Sequence, residues 1–255
     1  MERGAGPRMT DHQNDPRLAA AARVLAEGRP DAAIEILFEA WSAEPDNLDL
    51  AVSYASLLAR AGREDEAEDL FSSLAEDCPD DSRVWNNWGY LLLTRGETDR
   101  AVRKFGQALE LDPADFEAMV NMGIALDRLG RSDESLDFYR RAEAVNTASP
   151  VLHNNMGAAY WRSGRPEEAL ACFRHALALN PRDASAANNM GIIRMAQGDF
   201  TEAEGFFRQA LEIDPDSHAA RRNLGAVARQ RKIAELNRKA DDKEGTCRDK
   251  PSSLF

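Results

Sequence analysis

The sequence predicts an all-α solenoid of stacked helix hairpins, and three observations predict it. Gly28, Gly62, Gly96, Gly130, Gly164 and Gly198 recur every 34 residues, and Gly89, Gly123, Gly157, Gly191 and Gly225 keep the same interval. Pro45, Pro79, Pro113, Pro181 and Pro215 follow that period too, with Thr147 in the one vacant slot. Between these marks the apolar residues recur at helical spacing. A fixed period of this length is the signature of a supersecondary unit that stacks on copies of itself. Six units follow, at 14–47, 48–81, 82–115, 116–149, 150–183 and 184–217.

Each unit reads as helix A, a turn and helix B. In the third, Trp85, Trp88, Gly89 and Leu92 fall at i, i+3, i+4 and i+7, one stripe of an α-helix. Gly96 sits where a helix would end on a left-handed residue, which glycine adopts without steric cost. Ala101, Phe105 and Ala108 then open a second stripe. The first turn of helix B is acidic or hydroxylated throughout (Asp31, Asp65, Asp99, Asp133, Glu167, Thr201), which suits the positive end of the helix dipole. Asn47, Asp81, Asp115, Ser149, Asp183 and Ser217 precede each helix A and are good N-caps.

Small residues in mid-helix imply close approach. Glycine there costs about 1 kcal/mol against alanine, so five in series are expected to face a tightly packed neighbour. Ala33, Ala67, Ala101, Ala169 and Ala203 are read as the matching small surface, with Phe71, Phe105, Tyr139, Phe173 and Phe207 filling the space between successive hairpins. No hairpin buries both its faces alone, so stability must come from stacking.

The 34-residue period, the small and aromatic positions and the closing proline resemble the tetratricopeptide repeat family, over residues 14–217. Departures are Ala21 and Ala55 for glycine, Ser135 for alanine, Leu37 for the aromatic and Thr147 for proline. The resemblance implies a right-handed α-α superhelix whose concave wall holds peptides. Residues 218–239 read as a terminal capping helix, because Arg221, Asn223, Leu224 and Gly225 begin a seventh unit whose turn slot holds Lys232 instead of glycine. Residues 1–13 and 240–255 are polar and are expected to be disordered.

The 44 acidic and 32 basic side chains give a net charge of -12, which argues against nucleic acid as a partner because phosphate contacts need a basic surface. No stretch approaches the roughly 20 apolar residues that cross a bilayer, and no signal-peptide pattern appears, so a soluble chain without membrane insertion is expected. Cys78, Cys172 and Cys247 are far apart and fit a reducing, cytoplasmic setting. Charge is uneven: residues 14–81 hold seventeen acidic and five basic side chains, residues 218–255 ten basic and five acidic. Oppositely charged ends favour head-to-tail self-association into a homo-oligomer, or a basic partner at the N-terminal end; the other reading is a solvated face.

The most regular feature of the expected concave wall is Asn87, Asn121, Asn155, Asn189 and Asn223, one per repeat, with Ser53 in the corresponding slot of repeat two. A carboxamide offers both a donor and an acceptor, so a row of them can pair with the main chain of an extended peptide without reading its side chains. The row is similar to that in the repeat half of the O-linked N-acetylglucosamine transferases; asparagine is also common at this slot as a tolerated polar residue. Asn86, Asn154, Asn188, Tyr90, Ile124, Ile192, Trp161 and Met195 are placed on the same wall, with Arg83, Arg128, Arg162 and Arg222 nearby. Aromatic and arginine side chains are what binding hot spots are built from. Trp161 has a competing reading, packing against a neighbouring helix. A chaperone-type clamp for a C-terminal carboxylate is disfavoured, since the matching helix offers Asp49, Val52 and Ser53.

No catalytic residue, cofactor or metal is expected. Cys172 and His175 stand at i and i+3, but nothing in the sequence supplies an acidic orienter or an oxyanion donor. His12, His153 and His218 lack metal-ligand spacing, and no GxGxxG, GxxxxGK[ST] or GxSxG occurs. The function expected is a non-catalytic adaptor that binds an extended peptide from another protein; the alternatives are a self-assembling scaffold and a regulatory or substrate-presenting partner of a separately encoded enzyme.

Overall fold

In the computed structural model the described residues are 15–248, with side chains described through Ile233. The expectation for residues 1–13 lies outside them. The described residues form thirteen helices and no strand, in two compact units, the chain dividing between Val145 and Asn146.

Unit 1 holds α1 (Pro16–Ala26), α2 (Pro30–Ala43), α3 (Leu48–Arg60), α4 (Glu64–Asp77), α5 (Ser82–Thr94), α6 (Thr98–Leu111), α7 (Phe116–Arg128) and α8 (Ser132–Val145). Unit 2 holds α9 (Pro150–Arg162), α10 (Pro166–Leu179), α11 (Ala184–Ala196), α12 (Phe200–Ile213) and α13 (His218–Arg248). Each odd helix from α1 to α11 pairs with the even helix after it, and α13 packs on α12. Within unit 1, α3 also meets α5 and α5 meets α7; within unit 2, α9 meets α11 and α11 meets α13. The even helices make no comparable contact with one another, so in each unit the odd helices line the inner side of the stack.

Local chemistry sets the ends. The side chains of Asn47, Asp81, Asp115, Ser149, Asp183 and Ser217 all accept a backbone N–H from the first turn of the following helix. Gly96 takes φ 81° after α5, and Glu97 N–H then donates to the Leu92 carbonyl at 2.9 Å. That 6→1 bond is the Schellman closure, and a side chain with a Cβ is strained at this φ.

The glycines inside the odd helices have a different partner from the one expected. A Cβ on Gly89 would stand 2.6 Å from the Phe105 ring, and one on Gly191 2.6 Å from the Phe207 ring. The close approach is therefore between glycine and the aromatic residue of its own hairpin. The alanines do not face the glycines in this role; a flat ring needs the notch, and the alanines lie beside it, fully buried.

The C-terminal helix runs further than expected. Ala220 joins the buried cluster with Ala187 and Ala210, and Val227 with Ala203 and Phe207, so the first part of α13 covers the end of unit 2. The helix then continues to Arg248, nine residues beyond the expected end at 239, which corrects the reading of 240–248 as disordered. Low hydrophobicity does not by itself break a helix, and no proline stands between Pro215 and Pro251. Residues 249–255 lie outside the described residues.

Candidate functional site

The asparagine row lies on the odd helices, and every member described is half-buried. In unit 1, Asn87 on α5 donates to the Arg83 carbonyl at 2.8 Å and accepts from the Ser56 hydroxyl of α3 at 3.4 Å. Asn121 on α7 donates to Asn86 Oδ1 on α5 at 3.0 Å. Unit 2 repeats the device, with Asn223 on α13 donating to Asn188 Oδ1 on α11 at 2.9 Å. Asn155 and Asn189 make no side-chain hydrogen bond among the described residues.

The second asparagine of each pair thus has a different task from the one expected. Asn86 is only 5% exposed and serves as the acceptor that ties α5 to α7. It is not an open wall residue, because burying a carboxamide requires that it be paired within the protein. Asn188 does the same work while half-buried, and Asn154 donates to the Asp183 carboxylate.

The remaining wall residues divide in the same way. Tyr90 is 51% exposed, and Trp161 and Ile124 are half-buried. Ile192 and Met195 are half-buried and pack against the cluster of Ala203, Phe207 and Val227. Arg83 is held by Asp81 at 2.7 Å and by Asp49. The hydrogen bond that it donates to Asp81 is the main reason its guanidinium stays protonated well above the ordinary arginine range, with burial opposing. Arg128 donates to the Leu93 carbonyl at 2.7 Å and so caps the last turn of α5. Arg162 and Arg222 are exposed, and Arg162 is engaged by neighbouring groups.

Two clefts on the inner side of unit 1 were not foreseen. One, of about 360 Å³, lies against Ala59, Phe71, Tyr90 and Leu91; the other, of about 420 Å³, lies against Leu18, Ala22, Leu25 and Val52. Ser56, Arg60 and Asn87 line both, so the clefts adjoin along these three residues. The periodic slot of Arg60 is also that of Arg128 and Arg162, and this was the available signal.

Charge is segregated between the layers of this unit. Helices α2 and α4 carry ten carboxylates and no basic residue. Helices α1, α3 and α5 together carry one carboxylate, Asp49, which Arg83 pairs. The acidic excess read from residues 14–81 therefore sits mainly on the even helices and leaves the inner layer close to neutral or basic.

Cys172 and His175 lie on α10, where the His175 ring stacks on His153 with centroids 4.0 Å apart. His153 is buried and its Nε2 donates to the Thr147 carbonyl at 2.9 Å. Among the described residues no His, Cys, Asp and Glu cluster could hold a metal, and no helix is long and apolar enough to cross a membrane.

Stacked helix hairpins, glycine notches under aromatic rings and inner layers that carry polar rows and clefts define a helical-repeat interaction module. Tetratricopeptide repeat models match residues 24–86, 86–150 and 154–218, and the chain belongs to the tetratricopeptide repeat family. No enzyme family is indicated. A comparison with curated protein sequences finds no significant match. Among solved structures, PilF of Pseudomonas aeruginosa is similar at a TM-score of 0.67 and 15% identity, over 83% of this chain and 96% of that one. Cut9, solved with Hcn1 in a hetero-tetramer of APC/C, is similar at 0.66 and 19%, over 93% of this chain and 47% of that one. YrrB, described as a TPR protein with an unusual peptide-binding site, is similar at 0.57 and 19%, over 72% and 95%. These likenesses establish the fold.

Proposed function

We propose that this protein is a non-catalytic adaptor whose inner helices bind an extended peptide segment of another protein. The observation that carries the reading is the pair Asn155 and Asn189, which stand at equivalent places on α9 and α11 with half-exposed carboxamides and no internal hydrogen bond. Equivalent residues on successive helices present donors and acceptors at a regular interval, as an extended main chain does. The peptide-binding site named for YrrB agrees with such a use of the fold. Asn121 and Asn223 each keep the Oδ1 side of the group for a ligand, since their hydrogen bonds to Asn86 and Asn188 use Nδ2.

Affinity capture from native extract tests this. Asn155→Ala/Asn189→Ala is expected to retain wild-type helical content, because neither side chain is used internally, and to lose the polypeptide that the wild-type protein retains. Equal retention by both proteins would remove the asparagine row from the binding surface.

A second reading is self-assembly through opposite charges. Arg221, Arg222, Arg229 and Lys232 of α13 are exposed, and so are Asp31, Glu35 and Asp69 on the even helices of unit 1. Light scattering is expected to give a mass that rises with concentration at 20 mM salt and falls to the monomer at 500 mM, where the Debye length shrinks to roughly 4 Å. A monomer at both ionic strengths would exclude it.

A further inference from the structure

The two adjoining clefts of unit 1 share one cation. Arg60 is the last residue of α3, is exposed, and makes no hydrogen bond or ion pair among the described residues. Three of the other polar side chains at the clefts are occupied. Ser56 donates to Asn87, Asn87 donates to the Arg83 carbonyl, and Thr94 donates to the Leu91 carbonyl. The one carboxylate at the clefts, Glu64, lies 3.8 Å from Arg95. Arg128, which fills the slot of Arg60 in repeat four, spends its guanidinium on the Leu93 carbonyl. In the slot of repeat two the guanidinium is left over.

Resting on the reading of the inner layer as a peptide groove, we infer that unit 1 selects a peptide with a side-chain carboxylate between two bulky apolar residues. The carboxylate pairs with Arg60. The apolar side chains fill the clefts on either side, one against Phe71 and Tyr90, the other against Leu18 and Val52.

Three physical arguments support the assignment. A guanidinium takes a carboxylate through two parallel hydrogen bonds, which gives geometric selectivity as well as attraction. Apolar side chains seated on both sides exclude water from the pair and lower the local dielectric, so the pair is stronger there than on an open surface. The charge pattern favours an acidic ligand, because of the ten carboxylates of α2 and α4 only Glu64 lines a cleft, and Asp49, the sole carboxylate on α1, α3 and α5, is neutralised by Arg83. The one carboxylate that a basic peptide would meet at the clefts, Glu64, already faces Arg95.

The test uses the full chain and fluorescence anisotropy with labelled peptides of one design, Ser-Gly-Leu-Gly-Xaa-Gly-Phe-Gly-Ser, where Xaa is Glu, Gln or Lys. A second set adds one glycine on each side of Xaa to vary the spacing. In at least one set the wild-type protein is expected to bind the Glu peptide about tenfold more tightly than the Lys peptide, with Gln between, as a partly desolvated ion pair requires. Arg60→Glu is expected to reverse that order; the side chain is exposed at a helix end, and circular dichroism checks that the fold is kept. Equal binding of Glu and Lys peptides, an order unchanged in Arg60→Glu, or no binding of any peptide overturns the inference. The groove reading stands or falls separately, on the capture experiment with Asn155 and Asn189.

Discussion

Phe207→Ala is expected to lower the stability of unit 2 by about 3–5 kcal/mol, the usual cost of removing a fully buried aromatic ring and leaving a cavity. The ring is 0% exposed and packs with Ala203 and Val227, with Ile192, Met195, Phe200 and Leu224 around it. It therefore joins α11, α12 and α13. Repeat arrays hold together through nearest-neighbour interfaces, so the loss should appear first as weaker hydrogen-exchange protection in α11–α13. Urea unfolding followed by circular dichroism gives the magnitude. A loss below about 1 kcal/mol would mean that the hairpin closes over the missing ring.

Gly157→Ala is expected to destabilise by about 1–3 kcal/mol, although alanine in a helix interior gains about 1 kcal/mol of propensity. A Cβ there would stand 2.8 Å from the ring of Phe173, nearer than real Cβ atoms come to a neighbour. The sequence contains its own remedy: repeat one carries Ala21 and Leu37 at these two slots, both buried. Phe173→Leu combined with Gly157→Ala should recover part of the loss, with a coupling of about 1 kcal/mol or more in a double-mutant cycle. Simple additivity of the two changes would show that the notch and the ring are not a matched pair. Gly225 provides the contrast, since a Cβ there meets only Arg229 Nη1 at 3.5 Å, an ordinary contact. Repeat two shows that the match is local, because Ala55 and Phe71 are both fully buried where that hairpin is built to hold a methyl group and a ring together.

Much of the candidate site could be placed from the chain alone, and its occupation could not. The asparagine slots fall on the inner helices because a 34-residue period puts equivalent residues at equivalent places. Whether each carboxamide is free depends on its neighbour 35 residues away, as with Asn121 and Asn86, and helical spacing contains no such cross-helix distance. Ile192 and Met195 fall on the wall by the same spacing, and their packing against the cluster that Val227 of α13 completes is likewise a contact between helices. The clefts around Arg60 need α1, α3 and α5 side by side before they exist.

The sequence by itself determined the all-α class, the hairpin frame and the helix ends, because caps, left-handed glycines and apolar stripes act within a few residues of chain. Only the tertiary structure decided which ring each glycine admits, which asparagines and arginines are consumed in holding helices together, and that the acidic excess lies mainly on one layer. Those outcomes depend on distances between helices, set by packing that a linear pattern does not contain.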